Sequence, residues 1–258
     1  MELLSKLTSY RDMSKRKFSA FTKVSTRNSH LPYLQLNRRR DLGSETVDLY
    51  VGEAREHFRI SKAILCKKSD VFDRMFNGGF EEAASGSADL PEDDPEVFTW
   101  LVEWLYRNSS EILSVEDHSF EKVRFYCFAS KYRIAPLTDV IMDSIQLAYN
   151  KTETYPNLDT VAYVFRNCGG KYGLRRYMVQ IFVVIFIAYV EEDDVIDVSS
   201  WKTDAMLDLF IENEDLRLDI WRSMRSSHLA NLDDPVFEAP SCDFHEHELD
   251  ALCPQVEK

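Results

Sequence analysis

Machinery for chemistry is the first thing missing from this sequence of 258 residues. It contains no phosphate loop, nucleophile elbow, metalloprotease helix or dinucleotide fingerprint. Gly78-Gly79 and Gly169-Gly170 are paired glycines without phosphate-loop context. His57 and His118 stand apart from any Ser/Cys–acid spacing that would suggest a triad. Nothing at the level of motifs therefore points to an enzyme.

Long apolar runs are missing too. Residues 179–190 (VQIFVVIFIAYV) are only twelve in number, whereas a membrane-spanning helix needs roughly 20. This run reads as a fully buried core helix, and no membrane association is expected. The absence of an apolar h-region argues against secretion. Cysteine is scarce: there are five, an odd number, with no tight spacing in the body of the chain. Cys66, Cys127 and Cys168 sit among apolar or helical neighbours and read as buried thiols in a reducing compartment, cytoplasmic or nuclear.

Net positive charge is also lacking. The formal net charge is -13 and the pI is near 5.0, which argues against a nucleic-acid binder. The charge is uneven. Residues 1–45 carry ten Lys/Arg against four Asp/Glu, so the rest of the chain holds the whole acidic excess. Residues 1–44 thus form a basic arm, read as a flexible leader. A nuclear signal at residues 15–17 or 38–40, or an Arg/Ser-rich transit peptide, are alternatives.

What is present supports a folded body, since 45% of residues are apolar. Val47, Leu49 and Val51 alternate with Asp48 and Tyr50 as in a half-buried strand, Gly52 turns the chain, and Phe58 and Ile60 continue in a second strand. Ser61 and Ser69 are candidate N-caps. Phe72, Met75 and Phe76 share one helical face, which Gly78-Gly79 should close through left-handed glycine. Residues 87–90 read as a short strand. Asp94 caps a helix with Pro95 in its first position, and Phe98, Leu101, Val102 and Leu105 mark its apolar face. Trp100 and Trp104 beside that face read as core packing. Helices follow at residues 120–132, with Val123, Tyr126, Cys127 and Ser130 inward, and at 135–149, with Leu137, Val140, Ile141, Ile145 and Leu147.

These residues resemble the BTB/POZ fold in the form common in fungal proteins. The resemblance spans about residues 45–150 and is most specific in FNGGFEEA and LPEDDPEVFTWLVEWLY, with ASKYRIAPLTDVIMDSI resembling the closing helical pair. It implies an α+β domain, a small mixed sheet flanked by helices, followed by an all-helical region. It also implies an interaction adaptor, not an enzyme. In this family an apolar-x-Glu motif lies beside the groove that accepts a cullin, and Phe80-Glu81-Glu82 matches it. Phe80 and Glu82 are thus the partner-binding candidates, with a cullin-type ubiquitin ligase or a second copy of the chain as partner. The alternative is an oligomerising architectural or transcription-related protein. Thr46 stands where the family has aspartate and Ser61 where it has histidine, both in a polar arrangement near the family's dimer face.

Residues 151–230 read as a helical extension. Helices fall at residues 157–167 and 174–189, then a long amphipathic segment at 201–225 with Trp201, Ala205, Leu209 and Leu216 or Leu218 as contacts. Residues 231–258 form an acidic tail with Cys242, His245, His247 and Cys253. Two thiols and two imidazoles within twelve residues suit tetrahedral zinc. A tail with incidental cysteines remains the other reading.

Overall fold

A computed structural model describes residues 44–114, 119–170, 172–188, 201–225 and 242–247, all within the unit 39–258. Residues 1–43 of the basic arm and His118 lie outside the described residues.

The alternating segment forms β1 (Thr46–Val51). Val47, Leu49 and Val51 face the core with at most 1% of their surface exposed. Gly52, at φ +74°, makes the turn into β2 (Glu56–Ser61), and a side chain there would press on the Pro95 ring at 3.0 Å. β2 is antiparallel to β1, with Val47 opposite Ile60. β3 (Ser87–Leu90) is parallel to β1, with Leu49 opposite Ala88. The strand order β2-β1-β3 gives the expected mixed sheet. On the outer face Asp48 accepts from Arg59 at 2.8 Å and bonds His57 at 2.6 Å. These bonds, Arg59's first, hold the Asp48 carboxyl below its ordinary pKa. His57 also stacks on Tyr50, so it serves cross-strand pairing.

Among the described residues, four helices accompany this sheet up to residue 107. α1 (Lys62–Lys68) begins after Ser61, which makes no side-chain cap bond. Ser61 instead ends β2, and its backbone N–H donates to the Tyr106 hydroxyl at 3.0 Å. α2 (Asp70–Asn77) is capped as expected by Ser69, whose oxygen accepts from Phe72 N at 3.2 Å. α3 (Glu81–Ser85) is a single short turn of helix. α4 (Pro95–Arg107) has Asp94 as its cap and buries Val97, Phe98, Leu101, Trp104 and Leu105. Val102 and Trp100 are only half-buried. Trp100 sets its edge on Phe125 and Trp104 lies under the Lys68 ammonium, so both pack as core.

After the short α5 (Glu111–Ser114), α6 (Ser119–Lys131) and α7 (Ala135–Thr152) form the closing helical pair. Val123, Tyr126, Cys127 and Ser130 are buried as read. On α7, Leu137, Ile141 and Ile145 are buried at fourfold spacing, but Val140 and Leu147 face solvent. They lie on the opposite arc of the helix, so apolar identity alone misplaced them.

The described residues of the second half are largely helical: α8 (Leu158–Asn167), α9 (Gly173–Ala188), α10 (Thr203–Glu212) and α11 (Glu214–Arg225). α9 buries Ile181 through Ile185, yet Phe186 is exposed, so the apolar run is not buried throughout. The long segment at 201–225 breaks into two helices at Asn213, whose N–H closes α10 on the Leu209 carbonyl at 3.1 Å. Trp201, Leu209 and Leu216 are buried, whereas Ala205 and Leu218 are exposed. The Trp201 indole N–H donates to the Pro156 carbonyl at 3.0 Å. Among the described residues no helix is long and apolar enough to cross a membrane.

Phe98 touches both Phe58 and Phe128, joining sheet, α4 and α6. Phe98→Ala should therefore cost about 3–5 kcal/mol, while Leu207→Ala on exposed α10 should stay within about 0.5 kcal/mol. Urea unfolding midpoints check both, and equal effects would contradict this core.

Candidate functional site

The first candidate site begins where α2 stops. Gly78 does not enter the left-handed region as the sequence reading expected; its φ is -82°. Glycine is needed there for space. A Cβ would lie 2.2 Å from the Arg74 carbonyl and 3.2 Å from the Phe80 ring. The left-handed glycine is Gly86, at φ +67°, whose N–H closes α3 on the Glu82 carbonyl at 2.9 Å. Between these two glycines the chain projects Phe80, 62% exposed, at the N-cap position of α3. Glu82 follows two residues later, part-buried on the first turn of that helix.

Phe80 and Glu82 border a groove. Asp70, Val71, Arg74 and Met75 of α2 form one wall, and Lys131 and Arg133, at and just past the end of α6, supply the other. An exposed aromatic ring beside interleaved acids and bases has the chemistry of a protein contact: an apolar anchor with a polar rim. The wall positions are tied together from inside. Ser69 donates to the Tyr132 carbonyl at 2.6 Å, and Phe72 stacks on Tyr132 at 4.4 Å between centroids. The Tyr132 hydroxyl donates to the buried Asp93, which Lys131 also contacts at 2.8 Å. Burial, with Asp93 beside it, pushes the Tyr132 phenol far above its ordinary pKa, so it remains a donor.

The second candidate site is in the tail. A 3-10 turn at Cys242–Phe244 leads into His245 and His247. One ligating atom from each of Cys242, His245 and His247 lies within 4.8 Å of the others. Cys253, the fourth residue of the sequence pattern, lies outside the described residues. His245 is held by Asp143 of α7, with Nε2 to Oδ1 at 2.9 Å. Phe244 is buried edge-on against Tyr177 of α9. Glu246 donates its backbone N–H to Asp139 at 2.6 Å, and its side chain accepts from Tyr126 and from the backbone N–H of Gly173.

Sequence reasoning singled out Phe80, Glu82, Cys242, His245 and His247 but not the residues packed around them. Lys131 and Arg133 carry no local mark of a groove. Asp139 and Asp143 sit on α7 with no local sequence mark of a contact to the tail. His245 and Asp143 are 102 residues apart, so no spacing rule links them. The N-terminal Gly173 of α9 offered one signal, a lone glycine opening an apolar helix, and its reason is now visible.

The BTB/POZ domain family model matches residues 36–147. The chain therefore carries a BTB/POZ domain, in which the three-stranded sheet, its flanking helices and the Phe80 groove all lie. Such domains are protein-interaction modules that also mediate dimerisation, which gives the chain a protein-interaction adaptor role.

Gly78→Ala should destabilise the chain by on the order of 1–3 kcal/mol, because the added methyl overpacks against the Arg74 carbonyl. A urea midpoint unchanged from wild type would show that the close approach at Gly78 is not required.

Proposed function

We propose that this chain is a substrate-recruiting subunit of a cullin-type ubiquitin ligase. The observation that carries the reading is the exposure of Phe80 on the rim of a groove, directly after the α2 stop and two residues before Glu82. A 62% exposed Phe has no packing role that would explain its identity. In this reading its ring is the apolar anchor on the cullin, and Glu82 makes a charged contact beside it. Arg74, Lys131 and Arg133 give the groove cations for an acidic patch on the partner. The helical half, which presents Leu207, Ile211 and Trp221 to solvent, is then left to hold the substrate.

Calorimetric titration of the purified chain with the N-terminal region of a cullin tests this. Wild type should bind, and Phe80→Ala with Glu82→Lys should weaken binding at least about 100-fold, the scale of an interface hot spot. The double variant should keep its unfolding midpoint, since neither side chain is in the core. Absence of wild-type binding to any cullin tried, or equal binding by the double variant, would remove the assignment.

A further inference from the structure

We propose that Cys242, His245 and His247 form a zinc site that stiffens the segment 242–247 where it lies against α7 and α9. This inference stands apart from the cullin reading and uses none of its residues.

The local backbone explains the convergence. The His245 N–H bonds the Cys242 carbonyl at 3.1 Å, closing a turn of 3-10 type. In such a turn residues i and i+3 eclipse, so Cys242 and His245 share one side. His247 follows two residues later, and its ring lies 5.4 Å from that of His245. Around tetrahedral zinc, bond lengths of about 2.0–2.3 Å place donors roughly 3.3–3.8 Å apart. The donor atoms here already lie within 4.8 Å of one another, so closing the set needs a shift of only about 1 Å.

An independent observation is the orientation of His245. Its side chain is only 2% exposed, and Nε2 faces Asp143 Oδ1. An ionised carboxylate can only accept, so Nε2 carries the proton, and Nδ1 is the atom that a metal would take in the neutral imidazole. A carboxylate fixing the far nitrogen of an imidazole is the arrangement that orients and strengthens metal-ligating histidines. The segment is also seated on a rigid frame. Arg176 donates to the Asp243 carbonyl at 2.7 Å, and Phe244 is buried. The approach is so close that a Cβ on Gly173 would fall 1.7 Å from the Phe244 carbonyl oxygen. Ligand side chains on a preformed frame lose little entropy when the metal arrives.

The donor set selects the ion. One thiolate and two imidazoles suit zinc and disfavour magnesium or calcium, which take oxygen. Three protein donors leave one tetrahedral position beyond them. Binding requires loss of the Cys242 proton, and the ion then ties Cys242 and His247 to His245, which Asp143 of α7 already holds.

The test uses the full chain, purified, loaded with zinc sulfate and dialysed against metal-free buffer. Elemental analysis should give about one zinc per chain. Cys242→Ser and His247→Ala should each lose it, while Cys66→Ser, remote from the tail, should keep it. Asp143→Asn should retain the fold by circular dichroism and weaken zinc affinity about 10–100-fold, the usual effect of removing such an orienting carboxylate. Cobalt in place of zinc should show a thiolate charge-transfer band that Cys242→Ser abolishes. A strong chelator should lower the thermal midpoint of wild type and leave that of Cys242→Ser unchanged. Zinc far below one per chain in the loaded wild type, or full zinc retention by both ligand variants, would overturn the proposal.

Discussion

The carboxylate of Asp93 is the contact on which the geometry of the Phe80 groove depends. It sits in the turn before α4, almost buried, and receives the Tyr132 hydroxyl and the Lys131 ammonium. Tyr132 in turn stacks on Phe72 and accepts from Ser69 through its carbonyl. One chain of contacts thereby joins the start of α4, the end of α6 and the cap of α2. Desolvating a carboxylate is costly, and charge-assisted bonds to both oxygens offset that cost. The consequence is geometric. α2 carries one wall of the groove and residues 131–133 carry the other, so the node that fixes their spacing also fixes the surface Phe80 overlooks.

The same economy of contacts unites the second half of the chain with the first. α8 packs on α6, and α9 packs on α8 and α11. The residues at 242–247 then return across α7 and the N-terminus of α9. Glu246 is central to this return. Its carboxylate meets the Tyr126 hydroxyl and the first N–H of α9, where unpaired helix donors favour a negative charge. Burial nevertheless raises its pKa, so desolvation outweighs these bonds.

Much of this architecture was legible in the sequence because its signals are local. Period-two alternation wrote β1, and Asp94-Pro95 wrote the start of α4, since each depends only on neighbours in the chain. The errors have physical causes too. At Gly78 the sequence shows a glycine but not whether torsion or space demands it, and space does. Val140 and Leu147 are apolar, yet helix geometry turns them to solvent. Asn213 breaks a segment whose amphipathic period ran on through it. At the candidate sites Phe80, Cys242, His245 and His247 were singled out from the sequence, but the residues beside them were not. Lys131, Arg133, Asp139 and Asp143 become site residues only when distant helices meet.

Hydrogen–deuterium exchange of the purified chain, alone and with the N-terminal region of a cullin, tests the central claim most directly: that the Phe80 face is the partner surface. Slower exchange on complex formation is expected across residues 70–86 and at 131–133. Residues 203–225 should exchange as in the unbound chain. Protection confined to residues 203–225, or no change across residues 70–86 in a complex that demonstrably forms, would contradict the account.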